Sequence, residues 1–125
     1  MSIVVIMSLR IMVVGDDDSI REIIKVMLKD YEVIEAANGL DAIKLYAQMK
    51  PDIVLMDVSM PILDGVEATR EIVKMDPNAV VIGLTAFARS KGKDMIEAGA
   101  KEVVEKPFTR SMLKGIIEKY FAKIS

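Results

Sequence analysis

The chain has 125 residues, which corresponds to one domain at about 100–200 residues per domain. It is 52% hydrophobic and 29% charged with a net charge of −2, a globular composition without the basic surface that binds nucleic acid. Because it contains neither cysteine nor histidine, disulfide bonds, Cys/His zinc sites and histidine-based catalysis are excluded. Any chemistry must use carboxylates, hydroxyl groups and lysine.

The amino-terminal residues give no membrane signal. The apolar run Ile3–Met7 is far too short to span a bilayer and lacks the basic flank and cleavage site of a signal peptide. We therefore expect a cytoplasmic protein with no membrane insertion. Because the first strand pattern begins at Leu9, the sequence predicts a domain over residues 9–125. Residues 1–8 are predicted to form an N-terminal extension that can be disordered or add an edge strand.

A buried strand and an amphipathic helix are predicted first. Arg10–Val14 (RIMVV) is the near-continuous apolar run typical of a strand covered on both faces. Ser19 and Glu22 then have the spacing of a capping box. Five apolar residues follow at helical spacing and predict a buried stripe: Ile20, Ile23, Ile24, Met27 and Leu28.

The next unit is a short strand and a second helix. Glu32–Ala36 is read as the strand and Asn38-Gly39 as a turn. The helix is predicted to end before Pro51. Its predicted buried stripe consists of Leu40, Ile43 and Ala47.

Three further strand and helix units follow the same pattern. The predicted strands are Ile53–Met56, Ala79–Leu84 and the short run Val103–Val104. Asp64 is expected to cap a helix that runs to about Met75, Gly99 to end a weaker helix over residues 90–98, and Thr109 or Ser111 to cap the last helix. Strict alternation of strands and helices predicts a parallel sheet between two helical layers, the three-layer α/β/α class.

Polar residues follow the carboxyl ends of four predicted strands, where such sheets bind ligands. They are Asp16, Asp17 and Asp18 after the first strand, Asp57 after the third, Thr85 after the fourth and Lys106 after the fifth. Singly, each has an ordinary explanation, such as helix-dipole complementation by the acids or strand breaking by Lys106-Pro107. Their occurrence together on one rim favours a functional site.

Converging carboxylates with no nearby histidine predict a divalent cation, and Mg²⁺ fits best. Mg²⁺ prefers oxygen ligands and commonly binds through one or two carboxylates plus phosphate oxygens. A lysine and a threonine hydroxyl can stabilise those phosphate oxygens during phosphoryl transfer. Asp57 would then be an aspartyl-phosphate nucleophile.

At this point the sequence resembles the CheY-like receiver domains of two-component response regulators, over Leu9 to Ile124. The segment from Asp57 to Gly65 (DVSMPILDG) resembles the family's D-x-x-M-P-x-x-D-G loop. The acids after RIMVV, Leu84-Thr85-Ala86 and Lys106-Pro107-Phe108 are the other matching features. The resemblance implies a flavodoxin-like (βα)5 fold with strand order 2-1-3-4-5.

The resemblance also implies the function and the site. It predicts a single-domain response regulator that is not an enzyme in the metabolic sense. Asp57 would accept a phosphoryl group from a sensor histidine kinase or phosphotransfer protein and pass the signal to a downstream protein that the sequence does not name. Asp16, Asp57 and the backbone carbonyl of Ser59 would bind Mg²⁺, Thr85 and Lys106 would bind the phosphoryl group, and the Lys106-Pro107 bond would be cis.

Two departures from the family pattern matter. The family usually has two acids directly after the first strand, and here Gly15 occupies the first position. Asp16 then takes the direct-ligand position, weaker Mg²⁺ binding is expected, and Asp17 or Asp18 is a candidate replacement. Val103 stands where many receivers have an aromatic residue that moves on phosphorylation, so that switch is not expected.

Other function classes remain as alternatives. A pseudo-receiver would be a constitutive protein-binding module without phosphorylation, and Gly15 is the reason to consider it. A phosphatase of the haloacid dehalogenase type needs a second aspartate two residues after the nucleophile, where this chain has Ser59. A flavodoxin-like carrier needs a phosphate loop after the first strand, where three aspartates would repel phosphate.

Overall fold

Five parallel strands form one sheet in the order β2-β1-β3-β4-β5, as expected from the resemblance. The structure is a computed structural model that describes residues 9–60, 62–86 and 88–124. The strands are β1 (Arg10–Val14), β2 (Glu32–Ala36), β3 (Ile53–Asp57), β4 (Val81–Thr85) and β5 (Glu102–Glu105). The helices are α1 (Asp18–Met27), α2 (Gly39–Met49), α3 (Gly65–Met75), α4 (Ala88–Ala98) and α5 (Arg110–Ile124).

Two hydrophobic clusters cover the two faces of the sheet. Successive side chains of a strand point to opposite faces, so Ile11 and Val13 join one cluster whereas Met12 and Val14 join the other. The first cluster packs under α1 and α5, and the second under α2, α3 and α4. Full burial of one such side chain contributes about 1.5–3 kcal/mol. The three-layer α/β/α prediction is confirmed.

The outer strands of the sheet are β2 and β5. Each has valine near its centre and glutamates at or near its ends, in the sequences EVIEA and EVVE. The three inner strands are almost completely buried. The difference follows from position, because an edge strand has a neighbour on one side only.

The predicted buried stripe of α1 is partly wrong. Ile24 and Leu28 are buried, but Ile20 is 37% and Ile23 52% exposed. The side of α1 that packs on the sheet is therefore narrower than the apolar stripe in its sequence. The remaining apolar residues turn towards the loop that follows β5.

The predicted buried stripe of α2 is shifted around the helix. Leu40 and Ala47 are exposed and Ile43 is half-buried against the core, whereas Ala42 and Tyr46 are buried. The first residue of the helix lies close to the loop before α3, because a Cβ on Gly39 would lie 2.3 Å from the carbonyl oxygen of Leu63. Neighbouring elements, and not apolar spacing alone, therefore decide which side of α2 is buried.

The N-terminal caps of the helices agree with the sequence in two of four cases. Asp64 caps α3 by accepting a hydrogen bond from the Glu67 N–H, and Thr109 caps α5 through the Met112 N–H. Asn38 caps α2 rather than forming a separate turn. Asp17, and not Ser19, caps α1.

The predicted extension over residues 1–8 lies outside the described residues. In the part of the chain that is described, no helix is both long and apolar enough to cross a membrane.

Candidate functional site

Asp57 is the last residue of β3, the central strand, and lies at the edge of the sheet formed by the carboxyl ends of the strands, here called the rim. Its side chain is 16% exposed, and its Oδ2 lies 3.4 Å from the Nζ of Lys106. Its Oδ1 accepts a hydrogen bond of 3.1 Å from the backbone N–H of Ser59. The structure therefore brings Asp57, Ser59 and Lys106 together.

Thr85 is the last residue of β4, which lies between β3, where Asp57 is the last residue, and β5, which Lys106 follows. Asp57 pairs in register with Leu84 of β4, so Thr85 is one residue further towards the carboxyl edge. The Thr85 carbonyl accepts a 2.8 Å hydrogen bond from the Lys106 N–H, and Thr85 is 2% exposed. This backbone bond places the first atoms of the Lys106 side chain over the end of the sheet.

The loop after Asp57 folds back tightly onto the strand. The Val58 N–H donates to the Leu84 carbonyl at 3.1 Å, and the Gly65 N–H donates to the Val58 carbonyl at 2.9 Å. A Cβ on Gly65 would lie 2.2 Å from the carbonyl oxygen of Asp57. A residue with a side chain at position 65 would therefore push α3 away from Asp57.

Gly15 lies directly beside Asp57. A Cβ on Gly15 would lie 3.6 Å from both Cβ and Oδ2 of Asp57, an ordinary contact distance. Gly15 thus occupies the position from which a side chain would face the Asp57 carboxylate. Asp16 follows it and is exposed at the rim.

The other two acids of this loop have protein partners. The Asp17 carboxylate accepts hydrogen bonds from the N–H groups of Ser19 and Ile20 at 2.8 and 3.3 Å. Asp18 forms an ion pair with Arg21. Both carboxylates are therefore engaged in the first turn of α1.

The donors at the rim suit a magnesium ion. Mg²⁺ is commonly held by one or two carboxylates, with water and phosphate oxygens completing its octahedron. Asp16 follows β1 and Asp57 ends the neighbouring strand β3, so two carboxylates are available at the end of these strands, and the exposed Ser59 bonds Asp57 through its N–H. Among the residues that the structure describes, no group of three or more acidic, cysteine or histidine side chains forms a metal site, so a site here would rest on two carboxylates.

The family is decided by comparison with known proteins. The sequence matches the response regulator receiver domain family over residues 11–118. The chain belongs to this family. The Lys106-Pro107 peptide bond is cis, as the resemblance predicts.

Similar receiver proteins support the assignment. Over 115 residues the chain is 41% identical to the chemotaxis protein CheY of Listeria monocytogenes, covering 89% of this chain and 97% of that protein. The receiver domain of the sensor histidine kinase PA1611 from Pseudomonas aeruginosa has a magnesium ion coordinated in its active site cleft. It matches with a TM-score of 0.87 at 31% identity, covering 92% of this chain and 98% of that chain.

A third similar structure is the response regulator protein TrrA of Thermotoga maritima, solved in complex with Mg²⁺ and BeF. It has a TM-score of 0.82 at 36% identity, with 89% of this chain and 97% of that chain covered. Receiver domains and CheY proteins are signalling proteins. The chain is thus a CheY-like receiver of two-component signalling.

Sequence reasoning missed an apolar groove beside the rim. The groove has a volume of about 330 Å³. It includes Lys106, the lysine that is predicted to bind the phosphoryl group. Its lining residues are Ile20, Ile23, Ile24, Met27, Lys106, Pro107 and Phe108. The exposed isoleucines were the available signal, but helical spacing alone places them in the core.

Proposed function

We propose that this receiver domain is a phosphorylation switch. Asp57 accepts a phosphoryl group from the phosphohistidine of a sensor histidine kinase or phosphotransfer protein, and the change alters a surface that binds a downstream protein. The cytoplasmic location expected from the sequence remains part of this proposal.

The contact between Lys106 and Asp57 is the observation that carries the proposal. A carboxylate 16% exposed at a strand end, with an ammonium group 3.4 Å away, has both the access and the positive charge that phosphoryl transfer requires. In the proposed step, an Asp57 carboxylate oxygen bonds to phosphorus while the bond from phosphorus to the donor nitrogen breaks. The donor imidazole leaves with the electron pair.

Lys106 and Thr85 are proposed to hold the transferred group. Phosphorylation adds about 1.5 to 2 negative charges, and the Lys106 ammonium already lies within reach of them. The Thr85 hydroxyl is proposed to donate to a phosphoryl oxygen. A magnesium ion bound by Asp16, Asp57 and the Ser59 carbonyl would neutralise charge on the phosphoryl oxygens.

The conformational response must differ from an aromatic-ring switch. Val103 is aliphatic and packs against the cluster beneath α2, α3 and α4. We propose that the response runs through the Thr85 backbone, which is hydrogen-bonded to Lys106.

The phosphodonor is proposed to dock in the apolar groove along α1. Lys106 lines this groove and also contacts Asp57, so a protein seated there has its reactive group next to the acceptor. An exposed apolar groove of this kind is typical of protein-binding surfaces.

The decisive experiment is the intact mass of the protein after incubation with acetyl phosphate, with and without Mg²⁺. We expect the wild type to gain one phosphoryl group in the presence of Mg²⁺, and Asp57→Asn to gain none. The control is Asp64→Asn in the same loop, which should gain the group normally because asparagine also caps a helix.

Absence of labelling in folded wild-type protein with ample Mg²⁺ would overturn the proposal. The pseudo-receiver alternative would then be preferred, and it is favoured by one observation, the missing side chain at Gly15 beside Asp57.

A further inference from the structure

Arg21 connects the loop after β1 to two secondary-structure elements. Its Nη1 donates to the backbone carbonyl of Gly15, its Nη2 pairs with Asp18 in α1, and its Nε bonds Glu35 of β2 at 3.2 Å. The planar guanidinium group can make these bonds at once because its donors point in different fixed directions. The side chain is only 12% exposed.

The charges around Arg21 hold it in place. Partial desolvation opposes the ionised form, but the hydrogen bonds to Asp18 and Glu35 outweigh it and raise the pKa of Arg21. Partial desolvation also opposes ionisation of Glu35, but hydrogen bonds from Lys25 and Arg21 lower the pKa of this carboxyl. The raised pKa of Arg21 and the lowered pKa of Glu35 therefore keep both groups ionised at neutral pH.

The carbonyl held by Arg21 belongs to the peptide unit that begins Asp16. A peptide unit is planar, so the carbonyl of Gly15 and the N and Cα atoms of Asp16 move together. Gly15 has no side chain to restrict its backbone. The Arg21 bond therefore restrains the backbone atoms from which the Asp16 carboxylate extends.

The neighbouring acids cannot provide this restraint in the same way. Asp17 caps α1 one residue further along, and Asp18 is itself a partner of Arg21. Their bonds fix the start of the helix, whereas the bond to Gly15 fixes the end of the strand.

We propose that Arg21 is a positioning residue for the metal ligand Asp16, and that it compensates for the missing side chain at position 15. This inference rests on the proposed function, because it assumes that Asp16 and Asp57 bind Mg²⁺. Outer-shell partners of metal ligands typically change metal affinity by about tenfold or more.

The test is the Mg²⁺ dissociation constant of the wild type and Arg21→Met, measured by calorimetric titration. We expect Arg21→Met to bind Mg²⁺ about tenfold more weakly. A purely electrostatic role predicts the opposite sign, because removal of a positive charge near the site favours a cation. Unchanged or tighter binding would overturn the inference.

Lys25→Met is the matched control. Lys25 also pairs with Glu35, at 3.1 Å, so this variant removes the same charge from the same carboxylate. It leaves the Gly15 carbonyl bond intact, and its Mg²⁺ affinity should stay at or slightly above that of the wild type. Weakening equal to that of Arg21→Met would assign the effect to Glu35 and overturn the inference.

Two further variants distinguish loss of the bond to Gly15 from a general loss of folding. Arg21→Lys keeps the charge but not the three simultaneous bonds, so its affinity should lie between those of wild type and Arg21→Met. Gly15→Ala restricts the backbone and fits at ordinary contact distance, so it should reduce the loss when combined with Arg21→Met. Absence of this rescue, with folded proteins, counts against the inference.

Acetyl phosphate labelling separates this inference from the proposed function. Arg21→Met should label slowly at low Mg²⁺ and normally at saturating Mg²⁺. If wild-type Asp57 is not labelled, the proposed function fails whatever the titrations give. If the wild type is labelled and both proteins bind Mg²⁺ equally, only the role of Arg21 fails.

Discussion

Lys106 contacts Asp57 in the unmodified protein, so its role in the modified protein can be tested by one substitution. We expect Lys106→Ala to accept a phosphoryl group but to respond weakly to it, because the ammonium group no longer links the Asp57 site to β5. The measurement is a titration with the phosphate analogue beryllofluoride and Mg²⁺, followed by NMR shifts of β4 and β5. The shift changes should fall to a small fraction of the wild-type values.

Lys101→Ala is the control for this experiment. Lys101 precedes β5 at the amino ends of the strands, far from the rim, where its N–H donates to the Val81 carbonyl. This variant should respond like the wild type. A full response in Lys106→Ala would exclude Lys106 from signal transmission.

The backbone conformation of Ile62 could not be predicted from the sequence pattern. Ile62 has a φ of 71°, in the left-handed region, and its side chain is 77% exposed. A β-branched residue rarely adopts this conformation, so local preference points elsewhere. Ile62 precedes α3 in a loop whose ends are held together by the hydrogen bond from the Gly65 N–H to the Val58 carbonyl.

At the scale of elements, α1 has two separate apolar roles. Ile24 packs on the sheet, whereas Ile23 is half-exposed and lines the groove beside Lys106. We expect Ile23→Asp to slow phosphoryl transfer from a protein donor by about tenfold or more, because a buried apolar contact in a docking site often contributes that much. Labelling by acetyl phosphate, which needs no docking, should be unchanged.

Val26→Asp on the same helix is the matched control. Val26 is 64% exposed but does not line the groove. Its transfer rate from the protein donor should equal that of the wild type. Equal slowing in both variants would place the docking surface outside the groove.

The elements themselves were predictable because their signals are local. Continuous apolar runs marked β1, β3 and β4, and the cap Asp64 marked the start of α3. The buried sides of α1 and α2 were not predictable, since the rotation of a helix depends on contacts such as that between Gly39 and Leu63. The family resemblance supplied strand order and the cis bond, which no local pattern contains.

For the molecule as a whole, the residues that meet at the rim were easier to predict than the hydrogen bonds that hold the loop after β1. Parallel strands must bring their carboxyl ends to one edge, so Asp57, Thr85 and Lys106 were expected to converge. The use of Asp17 as a helix cap and the bond from Arg21 to Gly15 depend on side-chain directions. Such directions depend on tertiary packing and cannot be read from residue spacing.

The glutamates of the two outer strands, β2 and β5, are expected to affect self-association of the protein. Polymerisation through open sheet edges requires two edges to approach and lose water, and charged side chains make that costly. Glu105→Val would convert the β5 edge to EVVV, and we expect it to increase self-association in light scattering at high concentration. Glu97→Val, on exposed α4 surface, should not, and equal association of the two variants would contradict an edge effect. The glutamates of the outer strands β2 and β5 are thus expected to oppose self-association of the protein through its sheet edges.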